Sequence, residues 1–77
     1  MIPANKAKEL VTTFINGNFT RVIDEFKAMS PLQAAMTAAY CMNYLPTEVA
    51  VHARKTSQEP VRFNIGNFMQ MLNEQAA

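Results

Sequence analysis

The chain has 77 residues, seven of them basic and six acidic, and a formal net charge of +1 at neutral pH. This length predicts a single domain over residues 1–77, and the balanced charge gives no electrostatic signature of a nucleic-acid or anionic-membrane surface. Cys41 and His52 are the only cysteine and the only histidine, which excludes an internal disulfide and a Cys/His zinc cage.

The first predicted helix covers residues 4–15. Apolar side chains recur there at i, i+3, i+4, i+7 and i+8, which is the spacing of one helix stripe. These are Ala7, Leu10, Val11, Phe14 and Ile15. Gly17 follows, and a residue without a Cβ suits the left-handed backbone that ends many helices. The short connection predicts an antiparallel hairpin with the next helix.

The second predicted helix begins after Asn18, a good N-terminal cap. Its apolar stripe again follows the helical spacing and consists of Phe19, Val22, Ile23 and Phe26. The third helix has a stronger start signal, because Ser30 and Gln33 have the spacing of a capping box and Pro31 suits the first helical position.

The third helix is expected to cover residues 31–45 and to end at Pro46. It contains no charged residue and has two apolar sides. One side consists of Leu32, Ala35, Met36, Ala39 and Tyr40, and the other of Ala34, Ala38, Cys41 and Leu45. A helix that is apolar nearly all round is typical of the centre of an assembly. We therefore predict an all-α bundle of four to five helices with this helix central.

Residues 46–65 fit two structures. A short helix over 48–55 followed by a second helix to the C-terminus is the interpretation that we favour. The same residues alternate in the manner of strands, and a hairpin pairing 48–53 with 60–65 would make the fold α+β. Residues 67–75 are predicted to be helical in either case.

The tripeptide Gly-Asn-Phe occurs twice, at 17–19 and 66–68. The match is too short to establish an internal duplication. We interpret each copy as a helix boundary: a glycine outside the helix, an asparagine cap and a phenylalanine that opens an apolar stripe. This would place the start of the last helix at Asn67, whereas the favoured two-helix interpretation places it near Ser57.

The residue pattern gives no support for catalysis. Cys41 lies among apolar residues, where its thiolate is disfavoured, so a structural cysteine is expected. Asp24 and Glu25 are adjacent, so on a helix their carboxylates diverge by about 100°. Glu48 and His52 share a helix face but have no further ligand. We therefore predict a non-enzymatic protein with no catalytic residues, no cofactor and no metal.

The favoured function is binding of a protein partner, with self-association as a homodimer as a further expectation. A small chain that is 49% apolar and only 17% charged has more apolar surface than one small core hides. The expected contact residues are Tyr44, Phe63, Met71 and Arg54. From its size, we expect an accessory, regulatory or inhibitor protein of a phage or plasmid.

The alternative function is that of a DNA-binding regulator. Two helices joined by a tight turn over 47–75 have the outline of a helix-turn-helix reader. The residues expected at the nucleic acid are Arg54, Lys55, Arg62, Asn64 and Asn67.

The hydropathy of two segments predicts where the protein is located. Residues 1–10 have no apolar core of the kind that signal peptides contain, which predicts a cytoplasmic protein. The uncharged stretch 28–47 contains prolines, polar residues and many alanines. This composition is not apolar enough for a transmembrane span, so no membrane association is expected.

Overall fold

The computed structural model of the chain describes residues 2–55 and 59–76, and it describes no side chain from residue 53 to residue 64. Its helices are α1 (Pro3–Ile15), α2 (Phe19–Lys27), α3 (Pro31–Lys55) and α4 (Glu59–Ala76). The prediction of an all-α bundle is confirmed. The hairpin at 48–53 and 60–65 is wrong, because the described parts of those stretches belong to α3 and α4.

The connection between α1 and α2 has the predicted chemistry. Gly17 has a φ of +92°, and its N–H donates to the carbonyl of Phe14 at 2.9 Å. The N–H of Asn18 donates to the carbonyl of Thr13 at 3.1 Å, which completes a Schellman ending of α1. The Asn18 side chain then accepts a hydrogen bond from the N–H of Arg21 at 3.2 Å. Both predicted caps are confirmed.

The start of α3 is the predicted capping box. The hydroxyl oxygen of Ser30 accepts from the backbone N–H of Gln33 at 3.3 Å. The side-chain oxygen of Gln33 accepts from the N–H of Ser30 at 3.5 Å. Two backbone donors at the helix N-terminus are thus satisfied by side chains three positions apart.

Helix α3 continues past the residue at which we expected it to end. Pro46 has no N–H, so one helical hydrogen bond is lost at this exposed position. Leu45 is buried and Val49 packs against the core one turn later. Burial on both sides of the proline therefore holds the helix together, and the predicted end at Pro46 with a separate helix over 48–55 is wrong.

The core lies where α3 packs against α1 and α4, while α2 packs against α1. Three rings form its aromatic part: Phe14 from α1, Phe19 from α2 and Phe68 from α4. The described buried apolar residues are Ala7, Leu10, Val11, Phe14, Ile15, Val22, Phe26, Ala34, Ala38, Cys41, Leu45, Phe68 and Leu72. The predicted inner stripes of the first two helices are confirmed, except that Ile23 and Phe19 are only half-buried.

The second Gly-Asn-Phe does not mark a helix boundary. Gly66 lies inside α4, which begins at Glu59, so the predicted start at Asn67 is wrong. Ile65 and Phe68 both contribute to the apolar side of α4, and that side runs through the glycine without interruption. The tripeptide therefore marks a helix boundary only in its first copy.

Candidate interaction surface

One side of α3 is not covered by the described part of the chain. Leu32 is 71% exposed, Met36 44% and Tyr40 39%, and these residues stand at i, i+4 and i+8 on the helix. Ala39 and Asn43 are also exposed and lie on the same side. We call these five residues the outer face of α3. Leu32, Met36 and Tyr40 are larger than the apolar residues that the same helix buries, apart from Leu45.

The opposite side of α3 explains why this face stays exposed. Ala34, Ala38, Cys41 and Leu45 are buried against the other helices, and three of them are small. Small side chains allow close helix packing, so α1 and α4 both pack against this side. The central position of α3 in the bundle is confirmed, but only one of its two apolar sides is buried.

The outer face carries no charge. The sequence has no charged residue between Lys27 and Glu48. Glu48 lies on the side of α3 toward α1, where it lines a surface depression together with Lys8 and Glu9. The charges nearest in sequence therefore do not interrupt the apolar row on the outer face.

The outer face is shaped as a shallow, open depression rather than a ridge. It is lined by Met36, Ala39, Tyr40 and Asn43. Ala39 is the smallest of these and lies between the longer side chains of Met36 and Asn43 along the helix. A side chain from a partner helix can enter such a depression in the manner of a knob entering a hole.

The strongest described electrostatic contact lies between α1 and α2, away from the outer face. The Lys6 ammonium pairs with the Glu25 carboxylate, and both side chains are mostly buried. The hydrogen bond that the Lys6 ammonium donates to the Glu25 carboxylate raises the pKa of Lys6 above its usual range. Glu9 at 3.4 Å from Lys6 and Arg21 at 4.0 Å from Glu25 extend the pair into a network. This network joins the two helices.

Cys41 is part of the core. Its thiol donates to the carbonyl of Ala7 at 3.7 Å, which ties α3 to α1. Burial raises the pKa of Cys41 to about 12, so the nucleophilic thiolate is scarce at neutral pH. The prediction of a buried structural cysteine is confirmed.

Neither Tyr44 nor Met71, two of the four expected partner-binding residues, lies on the outer face. Tyr44 and Met71 are half-buried and pack against the core. The Lys8 ammonium lies 5.8 Å from the centre of the Tyr44 ring. The side chains of Phe63 and Arg54 lie outside the described ones. Tyr44 and Met71 thus support the bundle, and their role in partner binding stays a prediction.

The residues expected at a nucleic acid are described only in part. Asn67 is exposed on α4. The side chains of Arg54, Lys55, Arg62 and Asn64 lie outside the described ones. The helix-turn-helix outline on which this expectation depended has changed, because the first of its two helices is the end of the 25-residue α3.

The apolar pattern in the sequence correctly places Leu32, Met36 and Tyr40 on one side of the helix. It does not indicate that this side is exposed. One signal in the sequence pointed to it. A helix with two apolar sides needs neighbours on both, and a chain of this length supplies too few long helices to cover them. The side with the larger residues stays uncovered, because the small residues on the other side allow tighter packing.

No protein-family model, curated protein or solved structure matches the chain. In the part of the chain that the structure describes, none of the helices combines the length and the hydropathy that crossing a bilayer requires. The outer face of α3 is therefore the feature from which a function is inferred.

Proposed function

We propose that this protein is a non-enzymatic, cytoplasmic interaction protein that binds another protein through the outer face of α3. One observation carries the proposal: Leu32, Met36 and Tyr40 form a continuous row of exposed, large apolar side chains on a helix surface without charge. Single exposed apolar residues are ordinary, whereas contiguous ones mark interaction sites.

The residue types on this face are those of an interface core. Tyrosine and methionine are enriched at the centre of interfaces, where lysine, glutamate and aspartate are depleted. Tyr40 offers a broad ring and one hydroxyl group, a combination that often contributes much of the binding free energy. Met36 is flexible and fits its side chain to differently shaped partners.

Burial of the outer face contributes favourably to the free energy of binding. Full burial of one large apolar side chain contributes about 1.5–3 kcal/mol relative to leaving it exposed. Leu32, with 71% of its surface exposed, has most of this contribution still to gain. Part of the gain from the three side chains is offset by the loss of translational and rotational freedom on association.

The test uses two variants that each add one negative charge to α3. Met36→Glu places the charge on the outer face. Gln33→Glu is the matched control, because Gln33 lies at the edge of that face, where it lines a separate depression with Lys6 and Glu25. Glutamate at this position also preserves the capping bond to Ser30. Circular dichroism and cooperative thermal unfolding verify that both variants fold.

Each tagged protein is used to capture partners from lysate of its own source cells, with and without nuclease treatment. We expect one protein to be retained in stoichiometric amount by the wild type and by Gln33→Glu but not by Met36→Glu. Amide hydrogen exchange on the purified complex then locates the contact, with new protection expected over residues 31–43.

Two results would reject the proposal. Equal retention by Met36→Glu would move the binding surface elsewhere, with Tyr44 and Met71 as the next positions to substitute. Retention of nucleic acid alone, lost after nuclease treatment, would favour the DNA-binding alternative and direct substitutions to Arg54, Arg62 and Asn67.

A further inference from the structure

We infer that the occupant of the outer face is a second copy of this chain, with the two α3 helices side by side, parallel, and related by a two-fold axis. This inference rests on the proposed function, because it names the partner of that same surface. Three observations carry it: the spacing of the exposed residues, the absence of charge and the position of Asn43.

The spacing is that of a helix-pairing seam. Leu32, Met36, Ala39 and Asn43 are all exposed and follow one another at intervals of four, three and four residues. An alternation of four and three is the heptad pattern, in which side chains of one helix pack between those of another. Ala39 in the middle of the seam allows the two helix backbones to approach closely.

The absence of charge suits self-pairing in particular. Around a two-fold axis the same patch meets itself, so any net charge on the patch faces an equal charge on the other copy. The outer face lies within the uncharged stretch between Lys27 and Glu48 and avoids this repulsion. It offers no charge that a strongly acidic or basic partner would select.

Asn43 gives the seam its orientation. It is the one polar residue of the four seam residues, and its amide both donates and accepts hydrogen bonds. Two copies of Asn43 facing each other satisfy these groups reciprocally, as asparagine does in parallel two-stranded helix pairs. A parallel pair also brings Leu32 onto Leu32 and Met36 onto Met36, so every apolar seam residue is covered.

The size of the seam sets the strength of the pair. From Leu32 to Asn43 the helix rises about 17 Å. An interface of standard size takes about 800 Å² from each partner, roughly one-sixth of the 4866 Å² accessible surface of this chain. Three helical turns cover less than that, so the expected dimer is reversible and dissociates on dilution.

Sedimentation equilibrium of the purified full chain, at concentrations from about 1 to 500 μM, measures the pairing directly. We expect a monomer–dimer equilibrium that Gln33→Glu leaves unchanged. Met36→Glu places two like charges across the axis and weakens association more than about tenfold. Asn43→Leu removes the polar pair, strengthens association and permits species larger than the dimer.

The orientation has its own test. Leu32→Cys lies at one end of the seam, so mild oxidation links two copies through this residue only when the helices are parallel. Cys41 is buried in the core and needs no background substitution. A dimer that forms normally but is not linked by oxidation would overturn the parallel arrangement.

The outcomes separate this inference from the proposed function. A wild type that stays monomeric over the whole concentration range overturns self-pairing. If Met36→Glu still abolishes capture of a different protein, the outer face remains an interaction surface and only its occupant was wrong. A monomer whose capture of partners is unaffected by Met36→Glu overturns both.

Discussion

The rings of Phe19 and Phe68 meet edge to face, with their centroids 5.9 Å apart and their planes at 68°. These are the phenylalanines of the two Gly-Asn-Phe tripeptides. Both also contact Phe14, whose centroid lies 5.6 Å from that of Phe19 and 4.3 Å from that of Phe68. The repeated tripeptide thus supplies two of the three rings that join α1, α2 and α4.

This cluster predicts a specific loss of stability. Phe68→Leu keeps an apolar group in the core but removes two ring contacts, and we expect the free energy of unfolding to fall by about 1–2 kcal/mol. Phe26→Leu is the control, because Phe26 is equally buried but lies outside the three-ring cluster. Denaturant unfolding measures both. A double-mutant cycle with Phe19→Leu should give a favourable coupling energy; additive effects would mean that the rings act independently.

The two glycines predict opposite responses to alanine. Gly17 adopts a φ of +92°, so Gly17→Ala forces a Cβ into the left-handed region and should destabilise the chain by about 1 kcal/mol. Gly66 lies within α4, and a Cβ there meets no atom within 4 Å. Gly66→Ala should therefore stabilise the chain by about 0.5–1 kcal/mol.

Thermal and denaturant unfolding of the two glycine variants, side by side, provide the measurement. A change of the same sign in both would contradict the assignment of one glycine to a turn and the other to a helix. If Gly66→Ala were destabilising, the glycine would be needed for a close approach that the described chain does not contain.

The parts of the fold that the sequence predicted depend on short-range chemistry. The turn at Gly17, the cap at Asn18 and the box formed by Ser30 and Gln33 each involve hydrogen bonds between residues at most five positions apart. Such bonds depend on local residue order, so a single sequence contains the information needed to infer them.

The parts that were missed depend on tertiary contacts. Whether a helix survives Pro46 depends on burial of Leu45 and Val49 by other helices, which no local pattern reveals. Likewise, the two apolar sides of α3 look alike in the sequence. The helices α1 and α4 cover the side with Ala34 and Ala38, and this leaves Leu32 and its neighbours exposed.

Cys41 should behave as a probe of unfolding. Its side chain is buried and its pKa is raised to about 12, so native protein should react with a thiol reagent only through opening of the core. At pH 8 the folded-state thiolate fraction is about one in 10⁴. We expect slow labelling in buffer and rapid, stoichiometric labelling in denaturant. Fast labelling of the native protein would show that α1 and α3 separate readily around Cys41.

The pair between Lys6 and Glu25 predicts a dependence on pH at the alkaline end. The folded-state pKa of Lys6 is raised, so the contribution of the pair to stability is complete below the unfolded-state value and disappears as the pH rises through the folded-state value. Glu25→Gln should cost about 0.5–1 kcal/mol at neutral pH, and less at high salt.

The matched control is Glu9→Gln, because Glu9 also approaches Lys6 but its side chain is 62% exposed. Solvent screens so exposed a charge, so its replacement should leave stability nearly unchanged. Chemical unfolding of the wild type and both variants, from neutral pH up through the pKa of Lys6, tests the pair. The difference between wild type and Glu25→Gln should shrink along this series. A difference that stays constant would mean that Glu25 stabilises the α1–α2 hairpin through packing of its side chain and not through its charge.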